Sequence, residues 1–250
     1  MPLVETDSLV LKSYNLAEAD RIVVLLTRDH GVVRGVAKGA KRLKSRFGSG
    51  LEPFSEIRAT YFQKDNLELV SIQSTELIRS NFAAASEPSF LEKFSYLGDL
   101  LVSFLPPHDP NETVYRMVRA SVETATAAPE ALDSIGLYFE LWLLRLAGFL
   151  PDWNRCDHCG RELPPDEEAN VQANFHLLCQ TCRRATSRRV ITGAQREIVK
   201  DAMRLAPTAF AGSRPDEASV TYISQILRDV ISAALGRDIS GVVAVGRQGR

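Results

Sequence analysis

The stretches "CDHC" at residues 156–159 and "CQTC" at residues 179–182 hold every cysteine of this chain. The pattern reads C-x2-C, nineteen residues, C-x2-C, which falls within the spacing of a four-cysteine metal site. Two intervening residues let a tight turn aim both sulfurs of a pair at one point. Two such knuckles complete a closed tetrahedron of thiolates, a donor set that suits Zn2+. The expectation is one structural zinc per chain on Cys156, Cys159, Cys179 and Cys182, bolting residues 152–186 together. A redox pair and an iron–sulfur cluster are the alternatives. Against redox, neither pair opens a helix in a βαβ pattern, where a thioredoxin-like motif belongs.

A catalytic zinc keeps an open position, and four thiolates leave none. Zinc deaminases also need an H-x-E element and a proline before C-x-x-C. Here His30, His108, His158 and His176 are followed two residues on by Val32, Pro110, Gly160 and Leu178, and Arg155 precedes Cys156. His158 and His176 read as surface residues of the knuckles. No Gly-Lys pair, G-x-S-x-G or glycine-rich dinucleotide fingerprint occurs, and no carboxylate pair stands out. The sequence offers no catalytic constellation, and a non-enzymatic protein is expected.

With 250 residues, 45% hydrophobic and 24% charged, the chain can bury a core without disulfides. No secretory signal opens it, and its most apolar run, 135–150, contains Glu140 and Arg145 and is too short for a bilayer. A cytoplasmic protein without a membrane partner is the expectation, and a reducing cytosol again favours metal over disulfide. The net charge of −1 hides a segregation: residues 1–80 carry +2, 81–150 carry −5, 151–182 carry −4 and 183–250 carry +6. A near-neutral total can still present a basic face to nucleic acid.

The fold class expected is α+β: an N-terminal five-stranded OB-fold barrel, then a mostly helical domain with an inserted four-cysteine zinc finger. Five short apolar or alternating runs (8–14, 21–27, 32–39, 56–62 and 67–73) suit a small barrel, with "QKDN" at 63–66 as a hairpin turn. An SH3-like barrel is the alternative. From about Thr75 the period becomes helical. Helices are expected over 88–105, over 111–125 with Asp109 as cap, and over 129–149. After the cysteine segment, Thr192 and Gln195 have capping-box spacing, 207–215 reads as a loop, and 217–235 as a closing helix. The domain boundaries expected are 1–80, 81–151, 152–186 and 187–245.

The run 34–50 carries Arg34, Lys38, Lys41, Arg42, Lys44 and Arg46 and no acid. It falls between barrel strands, where OB-folds hold nucleic acid, and its glycines suggest mobility. Cations in such a loop track phosphates and release counterions. These six residues are the expected DNA-binding set, with Phe47, Tyr61 and Phe62 as conceivable stacking surfaces. A second cluster, Arg183, Arg184, Arg188 and Arg189, follows the last cysteine.

The stretches "DSLVLKSYNLAEADRIVVLLTRDHGVVRGVAKGAKR" (7–42) and "GLYFELWLLRLAGFLPDWNRCDHCG" (136–160) carry a resemblance. In that order, with the acidic helical middle and two closing helices, the chain resembles the RecO family of bacterial DNA repair and recombination proteins. It departs where many relatives carry glycine two residues before the second knuckle; here His176 precedes Leu177-Leu178. Some members lack the cysteines, which fits a structural metal. The resemblance implies a recombination mediator that binds single- and double-stranded DNA, anneals complementary strands, works with RecR, and helps load RecA onto strands coated by single-strand-binding protein (SSB). It also implies the acidic, apolar-ended SSB C-terminal tail as a partner. An apolar groove between helix 129–149 and the C-terminal helices, rimmed by Arg196, Lys200, Arg204 and Arg228, is the expected dock. The rival reading is a zinc-ribbon or OB scaffold that binds nucleic acid or protein in transcription or translation.

Overall fold

Alternating and β-branched residues build the first strands, and the core side of each is set by its period of two. In the computed structural model, which describes residues 3–63, 69–183 and 189–237, these strands are β1 (Leu3–Leu16), β2 (Asp20–Thr27), β3 (Gly31–Ala37), β4 (Glu56–Phe62) and β5 (Leu69–Arg79). They close into a barrel in the order β1-β2-β3-β5-β4, with β4 returning to β1. Only β3 and β5 run parallel; the other pairs are antiparallel. This is the five-stranded OB-like barrel, and the SH3-like alternative falls away. Its interior holds Val10, Val23, Leu25, Val33, Ile57, Tyr61, Val70 and Ile72. Gly35 lets β3 close on β5, because a Cβ there would lie 2.7 Å from Ile72 and 2.8 Å from Val70. The strand character of β5 continues past Thr75 to Arg79, since its second half still finds a partner in β4. Residues 64–66 of the expected hairpin turn lie outside the described residues.

The chain divides into two compact units, 1–129 and 130–250. In the first, α1 (Phe82–Ala85), α2 (Pro88–Phe104) and α3 (Glu112–Ala127) follow the barrel. Phe54 packs edge-on against Phe90 and Phe94, whose rings stack 4.4 Å apart, and this pins α2 to the barrel. Arg119 reaches the buried Glu56 at 3.0 Å and Glu123 at 3.3 Å, which ties α3 to β4. The cap of α3 is Asn111, not Asp109: its side chain accepts from the Val114 N–H at 3.0 Å, so Pro110 stays outside the helix.

The second unit is built on α4 (Leu132–Leu146), with α5 (Gly193–Arg204), α6 (Pro207–Gly212) and α7 (Glu217–Leu235). The capping box at Thr192 and Gln195 is present with both hydrogen bonds. The segment at 207–215 expected as a loop contains α6. Pro207 opens that helix, and burying Phe210 against Tyr138 outweighs its glycine and short length. The stripe Val220, Ile223, Ile226, Leu227, Val230 and Ile231 of α7 is wholly buried, as its spacing predicts. Two side chains of α4 satisfy carbonyls at the end of α5: Trp142 donates to Ala202 at 2.9 Å and Tyr138 to Leu205 at 3.3 Å. Among the described residues, no helix is long and apolar enough to cross a membrane.

Candidate metal centre and nucleic-acid interface

Between and just after the two cysteine pairs the chain forms a small sheet. Strands β6 (Ala169–Val171), β7 (Leu177–Leu178) and β8 (Arg189–Ile191) pair in the order β7-β6-β8. Their buried residues, with Leu163 and Trp153, form a miniature core. The sheet brings the second knuckle over the first: the Asp157 N–H donates to the Leu177 carbonyl at 2.8 Å. In each knuckle a backbone turn folds around the sulfurs, Gly160 N–H to Cys156 carbonyl at 2.9 Å and Cys182 N–H to Cys179 carbonyl at 3.1 Å. Gly160 has φ of +72°, a left-handed conformation that glycine adopts without strain.

The four sulfurs of Cys156, Cys159, Cys179 and Cys182 lie within 4.8 Å of one another. A zinc–thiolate tetrahedron with bonds of about 2.3 Å has edges of roughly 3.8 Å, so the set fits a single metal ion. The surroundings favour the thiolate at Cys179 and Cys156, while hydrogen bonding to the Cys179 sulfur pushes the Cys182 thiol up to about 12. Burial pushes the Cys179 thiol up, but the Cys182 N–H and the Arg161 guanidinium donate to its sulfur and bring it down to about 6. Burial likewise opposes ionisation of Cys156, and the backbone N–H groups of Cys159, Cys179 and His158 outweigh it and lower its pKa. Neither histidine joins the set. His158 is exposed, and His176 Nδ1 lies 3.2 Å from an Asp157 carboxylate oxygen.

A second layer holds this centre, and it was not legible in the sequence. Arg161, which donates to Cys179, is itself held by Glu167 at 2.5 Å, and Glu167 also accepts from the Gln180 N–H at 3.0 Å. Such outer partners orient metal ligands. Arg196, expected on the rim of a groove, is instead buried. Its guanidinium donates to the carbonyls of Leu163 (3.2 Å), Pro164 (2.5 Å) and Glu167 (2.7 Å), clamping the interknuckle loop to α5. Gly193 makes the same joint possible, because a Cβ there would lie 1.5 Å from the Pro165 carbonyl oxygen. The only local signal near this joint was the capping box.

In the first unit, the six expected DNA-contacting cations Arg34, Lys38, Lys41, Arg42, Lys44 and Arg46 are all exposed. Arg34 stands on β3 and the others on the segment joining β3 to β4. That segment is a chain of hydrogen-bonded turns. Asp20 accepts from the Gly39 N–H at 2.8 Å, and the Lys41 N–H donates to the Ala19 carbonyl at 2.9 Å. Further turns link Arg42 to Gly39 and Ser45 to Arg42. Phe47 and Leu51 then plug into the barrel core. Phe47 and Tyr61 are therefore core residues and offer no stacking face; Phe62 is half-buried. Of the second cluster, Arg183 is exposed, Arg189 pairs with Asp229 of α7, and Arg184 and Arg188 lie outside the described residues.

The second unit also has a cleft of about 350 Å3 where the end of α4, the entry to the knuckles and α5 meet. Leu150, Trp153, Val199 and Met203 contribute apolar wall; Arg145, Lys200 and Arg196 contribute cations, and Asp152 an acid. Arg145, which also stacks over Trp142 at 5.1 Å, was not foreseen. Arg204 and Arg228 do not line the cleft: Arg204 pairs with Asp201 at 2.7 Å and Arg228 faces the buried Glu140 at 3.8 Å.

Comparison with known proteins agrees with this architecture. Residues 1–81 match the family described as recombination protein O, N terminal, and residues 94–240 match its C-terminal counterpart. The DNA repair protein RecO of Koribacter versatilis is 33% identical over 217 residues, covering 84% of this chain and 85% of the relative. The RecO proteins of Geobacter metallireducens and Myxococcus xanthus are 32% and 31% identical, each over more than 70% of both chains. A closed five-stranded barrel matched by one half of a family and a knuckle-bearing helical unit matched by the other leave one assignment: the chain belongs to the RecO family of DNA repair proteins.

Proposed function

We propose that this protein is a recombination mediator that acts by binding rather than by covalent chemistry. In this reading it binds single- and double-stranded DNA through Arg34, Lys38, Lys41, Arg42, Lys44 and Arg46 and anneals complementary strands. With RecR it helps RecA load onto SSB-coated strands. The observation that carries the reading is the loop itself: six exposed cations on one closed barrel, with no ion pair to any of them among the described residues. A structural zinc on Cys156, Cys159, Cys179 and Cys182 supplies folding energy to its module and no reaction. Complementary oligonucleotides mixed with the protein, without nucleoside triphosphate, are expected to anneal faster than alone at low salt. Equal rates with and without protein would remove the annealing role.

The cleft of the second unit is the proposed dock for the SSB tail. Its apolar wall suits the tail's apolar end, and Arg145 and Lys200 suit its acids, the peptide-in-groove arrangement. Reversing both charges, Arg145→Glu with Lys200→Glu, is expected to weaken an acidic tail peptide about tenfold, ~1.4 kcal/mol. Naked-DNA affinity should hold in the same variant. Unchanged peptide affinity by fluorescence anisotropy would move the dock elsewhere.

A further inference from the structure

The cations of the β3–β4 segment account for phosphates, but one neighbour does not belong with them. Leu43 sits between Arg42 and Lys44 and is 107% exposed, against 60% for the next most exposed large apolar residue described, Phe82. It is held there. Leu43 follows Arg42 in a turn closed by the Ser45 N–H on the Arg42 carbonyl at 2.9 Å, itself stacked on the turn that joins Arg42 to Gly39 at 3.1 Å. The other large apolar residues of the segment, Phe47 and Leu51, turn inward to the barrel core. The segment therefore projects one aliphatic side chain between exposed cations that neighbour it in sequence, on a turn closed by backbone hydrogen bonds and with no protein partner among the described residues.

A ligand that meets this tip must be anionic around an apolar slot. Duplex DNA has that form at a base step, with phosphates on both sides and base planes within. Proteins that open such steps do so with aliphatic or aromatic wedges such as Leu, Ile, Met or Phe, which unstack the step and kink the duplex. Single strands are instead held by rings that stack on bases, and the rings of Phe47 and Tyr61 are buried here. We propose that Leu43 is a wedge that enters between two base pairs of duplex DNA, while Lys41, Arg42 and Lys44 grip the flanking phosphates. The proposal rests on the reading that this segment binds DNA and adds what the tip does once bound. It gives the protein a local means of loosening a duplex step, independent of sequence.

The test uses the full chain and a duplex carrying 2-aminopurine at central steps and a dye pair at its ends. Binding of the unaltered protein should raise 2-aminopurine emission and shorten the end-to-end distance. Leu43→Ala should lose most of both signals while keeping the slope of log K against log salt, because no phosphate contact is removed. Leu43→Met should retain both, being a wedge of similar reach. Since Leu43 touches no core residue, neither variant threatens the fold. Tight duplex binding with unchanged emission in the unaltered protein overturns the wedge and leaves the DNA-binding reading standing. An alanine variant of the four loop cations that binds duplex as well as before overturns both. If Leu43→Ala changes only binding to phosphatidylglycerol vesicles, the tip serves a lipid surface and the proposal fails.

Discussion

Replacing Cys179 by Ser abolishes the one zinc ion that the chain is expected to hold when purified under reducing conditions. Cys179 is wholly buried, receives hydrogen bonds from the Cys182 N–H and Arg161, and contributes its own N–H to the Cys156 sulfur at 3.4 Å. Structural zinc in small modules is worth roughly 10–16 kcal/mol, more than a core of this size can supply by itself. The loss should spread in one direction. Arg196 and Gly193 couple the interknuckle loop to the first turns of α5, so amide protection should fall across residues 153–182 and at the start of that helix. The barrel interior has its own core and should keep its protection. Hydrogen exchange measured beside metal analysis decides the matter. Metal-free protein with an intact module, or full protection in the Cys179→Ser variant, would sink the assignment.

The second large effect lies in the salt dependence of DNA binding. Alanine at Lys41, Arg42, Lys44 and Arg46 together removes four exposed cations that lie in no ion pair among the described residues, and folding should be little affected. Each lost phosphate contact flattens the slope of log K against log salt by about 0.9, so four should flatten it by roughly 3.6. Between 50 and 200 mM salt that amounts to about a 10²-fold difference in how far affinity falls. Phe47 stays in place, so a lost slope can be assigned to charge and not to an unplugged barrel. Titrations at several salt concentrations that give the original slope would return these cations to the solvated surface.

Some of this was legible in the sequence because it is local. A C-x2-C pair encodes its own turn, two such pairs encode a centre, and the four sulfurs do converge. Alternation over five short runs encodes strands with one buried face, and the capping box at Thr192 encodes the start of α5 with both of its hydrogen bonds. The stripe of α7 encodes its buried side by spacing alone.

The tertiary structure decided what depends on residues distant in sequence. Phe47 and Leu43 are four residues apart in one polar run; nothing near them says that one fills a space beside Val70 and Ile72 while the other meets only solvent. Arg196 reads as one more surface cation until the carbonyls of Leu163, Pro164 and Glu167 are brought to it. A helix at 207–212 follows from a place for Phe210 against Tyr138, not from the propensity of "PTAFAG". Spacing determines which way neighbouring side chains point relative to one another. The direction in which a loop residue, a long cation or a single helical turn settles is determined by the surface it can bury, and that surface exists only once the chain has closed on itself.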